Sequence, residues 1–370
     1  MIQEPQSPVR AGLEPTLLIF PATHPDGLQF IEALRDRGEN FVAATSEWSA
    51  QTAREVDELI VLPYVHEPTF QARFLNLLEQ RNITRIYAPV AAVHSWLSHF
   101  IEKNRVPVRL IGLSPIQREQ SRFQKLKAKV AGYRGFIDDC AGGASDLSDL
   151  EIAAVLRLAS TIYGESNEEK IAAMMAIFSS APKGDVIEIG TLVGKSVAVL
   201  LWLARRYQVG NVLSIDPWRT DAATQHDSPE TVRVHMISEW DFGLVPEIFI
   251  TNLLQLGGGC FNYLQQESEQ GFQTFQRDRA IESQAFGRIG YQGRISVIHI
   301  DGNHDYDKVK LDCDLWLPLM AEDGWLILDD YQWIHGDGPR RVGDALLVEY
   351  ANNIERSFTC GKALFVKFHP

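Results

Sequence analysis

Two short apolar segments in the second half of the chain each end in acid. Arg294-Ile-Ser-Val-Ile-His-Ile-Asp301-Gly-Asn-His304-Asp-Tyr306 reads as a strand that delivers Asp301, and Asp323-Gly-Trp-Leu-Ile-Leu-Asp329-Asp330-Tyr331 reads as a second strand that delivers a pair of acids. The stretch Asp307 to Leu319 between them has the length and pattern of a helix. A strand–helix–strand unit crosses over right-handedly, so both acidic ends fall on the same C-terminal edge, where open α/β sheets bind ligands. Three carboxylates gathered in one crevice repel one another, and either a raised pKa or a bound divalent cation relieves the repulsion. Oxygen-rich ligation favours Mg²⁺, with Mn²⁺ or Ca²⁺ compatible, over zinc. His304, close behind Asp301, adds an imidazole whose ordinary pKa of about 6.5 suits proton transfer near neutrality. Taken singly, His304 could cap the following helix and Asp329 and Asp330 could be turn residues. Their joint placement on adjacent strand ends favours a functional cluster.

Upstream, Asp185-Val-Ile-Glu-Ile-Gly190 is a strand ending in glycine, and a helix opens at Gly194-Lys-Ser-Val-Ala-Val-Leu-Leu. Such a turn presents the unpaired N–H groups of a helix N-terminus to polar ligand atoms. It is not a phosphate loop, because that motif needs four residues between its glycines and Gly190 and Gly194 enclose only Thr191, Leu192 and Val193. Lys195 therefore reads as a first-turn surface residue. The next strand, Asn211-Val-Leu-Ser-Ile-Asp216, ends in an acid at the spacing where nucleotide-binding α/β proteins place the carboxylate that holds ribose hydroxyls.

The ordered runs E-I-G-T-L-V-G-K-S, S-I-D-P-W, H-I-D-G-N-H-D-Y and G-W-L-I-L-D-D-Y, over about Asp185 to Pro370, resemble the class I S-adenosylmethionine-dependent methyltransferases. More specifically, they are similar to the small-molecule O-methyltransferase group that includes macrocin and related antibiotic-sugar methyltransferases. The resemblance implies a Rossmann-like, seven-stranded sheet whose last strand, Gly361 to His369, runs antiparallel. It implies that Glu188, Gly190 and Gly194, with Thr191 and Ser196 of the same turn, shape the methionine pocket, that Asp216 holds the ribose, and that Glu267 and Ser268 reach the adenine. By the same likeness Asp301, Asp329 and Asp330 stand at the metal-ligand positions and His304 at that of the general base.

A sulfonium is an activated methyl donor, so such a protein mainly has to align the acceptor and remove its proton. The expected reaction is O-methylation of a sugar, glycoconjugate or other small metabolite, with S-adenosyl-L-methionine as cofactor and Mg²⁺ assistance. An ATP-dependent ligase or kinase, or a silent S-adenosylmethionine-binding scaffold, would be the alternatives. The stretch from Arg219 to Gly293 carries Trp240, Phe242, Phe249, Phe261, Phe272, Phe275 and Phe286, a spacing that suits core or lid packing more than substrate platforms. Arg340 and Arg341, in a glycine-containing segment past the acidic pair, could meet a carboxylate or phosphate, or equally a nearby acid.

From Thr16 to about Gly112 the runs TLLIF, NFVAAT, ELIVLP, TRIYAPV and VRLIG alternate with amphipathic helix-length stretches, the pattern of a parallel α/β sheet. This succession, with its I-G-L-S-P segment and lysine-bearing helix, resembles the domain that precedes the nucleotide-binding body of ATP-grasp enzymes, but no such body follows. Lys125, Lys127 and Lys129 on that helix read as a solvated face. The switch from this basic stretch to the acidic FIDDCAGGASDLSDLE sets the expected division at 1–135, an α/β domain of unassigned role, and 136–370, the methyltransferase domain; both are expected to be three-layer α/β.

The chain of 370 residues is long enough for two domains. Its 45% apolar and 22% charged content is globular. A net charge of −13 opposes non-specific contact with nucleic acid. Cys140, Cys260, Cys313 and Cys360 are scattered and suggest neither a disulfide framework nor a zinc knot. MIQEPQSPVRAGLEP has no apolar signal core, and no apolar run reaches the roughly 20 residues of a membrane span. A cytoplasmic enzyme acting on small molecules, with homo-oligomerisation compatible, is the expectation.

Overall fold

The computed structural model describes residues 16–49, 54, 56, 58–235 and 238–369. Residues 1–15, which contain the segment read as lacking a signal core, lie outside the described residues. The chain forms two compact units, Met1–Lys125 and Leu126–Pro370. The division falls inside the helix Pro115–Ala141, and the boundary expected at 135/136 lies further along the same helix.

In the first unit β1 (Thr16–Ile19), β2 (Phe41–Thr45), β3 (Leu59–Val61), β4 (Ile83–Tyr87) and β5 (Arg109–Leu110) form a parallel sheet in the order β3-β2-β1-β4-β5. Alternate side chains point to opposite faces of a strand. Leu18, Val42 and Ile86 accordingly join a core on one face, and Leu17, Ile19 and Ala43 a core on the other. The helix Phe70–Gln80 buries Phe70, Phe74, Leu77 and Leu78, one stripe at helical spacing.

The second unit is built on a seven-stranded sheet, order β13-β14-β12-β11-β6-β7-β8. Its members are β6 (Asp185–Ile189), β7 (Val212–Ile215), β8 (Phe261–Leu264), β11 (Ile295–Ile300), β12 (Met320–Leu328), β13 (Ile354–Cys360) and β14 (Ala363–Phe368). A separate hairpin pairs β9 (Ala280–Ser283) with β10 (Gly287–Gly290). β14 runs antiparallel to both β12 and β13, as the resemblance implies. β6 and β11 are buried along their whole length, the mark of central parallel strands covered on both faces. One core fills each face, around Val186, Val197 and Met174 on one side and Ile187, Leu213 and Ile298 on the other. Phe249, Phe261 and Phe275 belong to these cores, in keeping with the packing role read for most of the aromatic run.

The ends of β6, β11 and β12 are level. Ile189 O accepts the Asp301 N–H at 2.8 Å, and Ile300 O accepts that of Asp329 at 2.9 Å. Gly190, at φ +77°, sits so close to the neighbouring strand end that a Cβ there would lie 2.1 Å from Asp301 O. A side chain at position 190 would therefore push apart the strand ends that carry the acids. Among the described residues no helix is long and apolar enough to cross a membrane, and the four cysteines are unbridged.

Candidate active site

Above these strand ends opens a cavity of about 670 Å³, within the usual range for small-molecule sites. Gly190, Thr191, Ser196, Asp216, Glu267, Ser268, Asp301, His304, Asp329 and Asp330 all line it, so ten of the expected site residues face one space. Two do not. Glu188 is fully buried within β6, where its register partner is His299, and Gly194 backs onto Phe249 and Leu253.

Asp216 organises the turn after β6. Its Oδ2 accepts the backbone N–H groups of Thr191 (2.8 Å) and Leu192 (3.1 Å), and its Oδ1 that of Trp218 (2.8 Å). Burial pushes its pKa up, and these donors partly offset the rise. The Thr191 and Leu192 N–H groups, expected to meet a ligand, are thus spent on Asp216. A carboxylate has about four acceptor positions, so one remains for a ribose hydroxyl. Thr191 is 6% exposed, and its Oγ1 has no hydrogen-bond partner among the described residues. Buried polar atoms are seldom left so, and this one lies in the cavity wall. Lys195 Nζ donates to Gly164 O at 2.9 Å, which places the lysine of GKS against the protein's own backbone.

The acids fall into two groups, with Asp301 common to both. Among the described residues, ligand atoms lie within 4.8 Å of one another in His299, Asp301 and Asp329, and in Asp301, His304 and Asp330. Lys170, 2% exposed, bridges Asp301 and Asp329. Its Nζ donates to Asp329 Oδ2 and lies 3.4 Å from Asp301 Oδ2. Burial opposes the ammonium charge, but Asp301 and Asp329 outweigh it and hold the lysine pKa above its ordinary value.

His299 completes the buried group. Its Nδ1 is 2.8 Å from Glu188 Oε1, and its Nε2 is 3.7 Å from both Asp301 Oδ2 and Asp329 Oδ2, too long for hydrogen bonds but close enough for strong electrostatic contact. Burial and Lys170 disfavour its protonation, yet Asp329, Glu188 and Asp301 raise its pKa to about 9. Asp329, though buried, is held well below the carboxylate range by Lys170 and His299. Asp301 is pushed well above that range by burial and by the charge of Asp329.

Facing the cavity is a second, more open group. His304 Nε2 is 3.0 Å from Asp330 Oδ2, its Nδ1 is 3.1 Å from Gln225 Nε2, and its ring meets Trp333 edge-on at 4.7 Å between centroids. Lys170, His299 and Gln225 were not singled out in the sequence. A signal existed for the first two: each is the one basic residue in an otherwise apolar element, KIAAMMAI and ISVIHI.

The charged residues outside the cluster pair locally. Lys129 bridges to Glu168, Arg340 lies 4.0 Å from Asp344, and Arg341 lies 3.8 Å from Asp337 and over the Tyr306 ring. Such exposed pairs contribute little to stability.

A cavity at the C-terminal edge of a Rossmann-like sheet, beside a glycine turn and a strand-end acid, is where such sheets bind nucleotide-type ligands. Residues 187–331 match the family model described as a methyltransferase domain, a span that holds Gly190, Asp216, Asp301, His304, Asp329 and Asp330. The match to a methyltransferase domain falls within the C-terminal unit. No curated protein matches the chain. Solved structures similar to it include the O-methyltransferase NovP, at 14% identity over 62% of this chain and 84% of that one, with a TM-score of 0.38. The MycE methyltransferase of the mycinamycin pathway, in complex with Mg, SAH and mycinamycin VI, aligns at 15% identity over 61% of this chain and 56% of that one, TM-score 0.36. The calicheamicin methyltransferase CalS11 aligns at 8% identity over 70% and 94%, TM-score 0.36.

Proposed function

We propose that this domain transfers the methyl group of S-adenosylmethionine to a hydroxyl of a sugar, glycoconjugate or other small metabolite, with His304 as general base. The observation that carries the reading is that Thr191, Asp216, Glu267 and Ser268 line the same cavity as the His304–Asp330 pair. The cofactor residues suit the donor: Asp216 keeps one acceptor position for a ribose hydroxyl, and Thr191 lines the cavity on the methionine side. Ser196 belongs to that side of the wall, and Glu267 and Ser268 line the cavity where the adenine would lie.

Aliphatic hydroxyls are poor nucleophiles at neutral pH, so the protein must remove a proton as the methyl transfers. Asp330 accepts from His304 and would stabilise the imidazolium formed. Trp240, Phe242 and Trp333 line the cavity with flat apolar faces that suit the carbon face of a sugar ring. Asp301 and Asp330, which line the cavity, offer carboxylate oxygens to a divalent cation such as Mg²⁺ and leave His304 free as the base. When bound there, the ion would supply charge stabilisation to the acceptor oxygen. Asp329 would lie outside that set, because its oxygen is given to Lys170.

Calorimetric titration tests the donor. Saturable S-adenosylmethionine binding is expected, and Asp216→Ala should weaken it by about 10- to 100-fold, since the variant loses a charge-assisted ribose contact and frees two turn N–H groups. No binding to the wild-type protein, with or without Mg²⁺, would end the reading. His304→Ala should lower transfer of a labelled methyl group to hydroxylated acceptors by about 10²- to 10⁴-fold while leaving donor affinity unchanged. Transfer at the wild-type rate would remove His304 from the chemistry.

A further inference from the structure

The segments Ala222–Ser228 and Asn303–Tyr306 hold each other residue by residue. Asn303 Nδ2 donates to the carbonyl oxygens of Ala222 (2.9 Å) and Thr224 (2.8 Å). The Asp227 N–H donates to Asp305 Oδ1 at 2.8 Å, and Asp227 Oδ2 accepts the Tyr306 N–H at 2.9 Å. His226 Nδ1 lies 3.0 Å from Asp305 Oδ2. At the centre of this grip Gln225, only 4% exposed, places its Nε2 3.1 Å from His304 Nδ1.

In this structure the Ser228 hydroxyl donates to Gln225 Oε1 at 2.9 Å, and the amide turns its NH₂ to the imidazole. An amide NH₂ can only donate. His304 Nδ1 must therefore be the bare acceptor nitrogen, and the ring proton resides on Nε2, from which it donates to Asp330 Oδ2 at 3.0 Å.

We propose that Gln225 is a positioning residue that sets the tautomer of His304 and covers its Nδ1 lone pair until the acceptor's hydroxyl takes the place of the amide. This rests on the reading of His304 as general base. In the transfer, the acceptor O–H proton moves to Nδ1 while an oxygen electron pair forms the new O–CH₃ bond. The S–CH₃ bond breaks with its electrons staying on sulfur, which leaves as a neutral thioether. His304 becomes an imidazolium with Nε2–H still on Asp330. An Nδ1–H cannot face an NH₂, because two donors would oppose each other, so Gln225 must have withdrawn by then.

Long-range ¹H–¹⁵N spectra of the full chain, uniformly ¹⁵N-labelled and with the His304 signals found by difference from His304→Gln, report the tautomer directly. The wild-type protein at pH 7.5 is expected to show the Nε2–H form. Gln225→Glu replaces the donor with an acceptor of the same size and should bring a proton to Nδ1. Gln225→Ala should give a mixture of tautomers, with S-adenosylmethionine affinity unchanged and kcat toward an accepted hydroxyl substrate lowered about tenfold. A thermal transition within a few degrees of wild type would confirm that each variant is folded. A wild-type Nδ1–H form, or a tautomer indifferent to both substitutions, would overturn the proposal. Tautomer shifts with an unchanged kcat, in a protein that His304→Ala inactivates, would overturn its catalytic half. Tautomer shifts in a protein that His304→Ala leaves fully active would instead remove the base reading and leave the tautomer control standing.

Discussion

Lys170→Met is expected to destabilise the C-terminal unit by about 3–5 kcal/mol at pH 7, because it removes one partner of a buried ion pair and strands the other. Lys170 is the one charged residue in a run of eight consecutive buried helical positions, and its ammonium lies between Asp329 and Asp301. Methionine fills nearly the same volume, so the loss is electrostatic rather than a cavity. For a unit of this size each kcal/mol shifts the melting temperature by about 2–4 °C, so a drop on the order of 10 °C should be seen. The pH dependence has a definite sign. In the wild-type protein the folded-state pKa of Asp329 is depressed, so its contribution is present above the unfolded value near 4 and lost as pH falls through the lower folded value. The variant lacks that contribution, and the gap between the two proteins should narrow in acid. Adding Asp329→Asn to Lys170→Met removes the stranded charge and should recover more than half of the loss. A single variant as stable as wild type, or a double variant less stable than the single one, would show that the ammonium does not hold the acids.

The sheet edge that carries the candidate site was legible in the sequence, whereas its internal support was not. Strand ends and glycine turns are local signals: an apolar run closing on Gly190, Asp216, Asp301 or Asp329 announces both the strand and the residue it delivers. What lies behind those ends depends on which strands become neighbours. Lys170 meets Asp301 and Asp329 across 131 and 159 residues of chain, and only the pairing of β11 between β6 and β12 sets His299 opposite Glu188. That register also explains why Glu188, expected at the methionine pocket, is turned into the core. In a continuous central strand successive residues face opposite sides of the sheet, and at position 188 that side is covered. Local reading likewise put Asp216 at its strand end without revealing that its oxygens accept the N–H groups of Thr191, Leu192 and Trp218. The Ala222–Ser228 segment offered still less. It is polar and aperiodic, and its meaning comes from hydrogen bonds to Asn303–Tyr306, 78 to 81 positions away.

Asp312→Asn should make the C-terminal unit more stable above pH 7, by up to about 4 kcal/mol, even though the residue lines the cavity. Asp312 lies on the inward face of the helix Tyr306–Trp316, beneath Ser268, whose oxygen also accepts the Trp316 indole N–H at 3.0 Å. Burial pushes its pKa up to about 7, against smaller opposing effects of the Ser268 hydroxyl and Lys308. The unfolded chain releases the same proton near 3.9. A group whose folded pKa is raised contributes stability that is complete below the unfolded value and lost as pH rises through the folded one. The wild-type protein should therefore lose stability between about pH 4 and 7, at up to about 1.4 kcal/mol per pH unit, and level off beyond. Asparagine keeps an acceptor oxygen for Ser268 and has no proton to lose, so the variant should be flat across that window and match the wild type near pH 4. Guanidinium chloride unfolding at a series of pH values measures both curves. Parallel slopes would mean that Asp312 ionises without penalty where it sits, and that the cavity wall beside Ser268 is wetter than its burial implies.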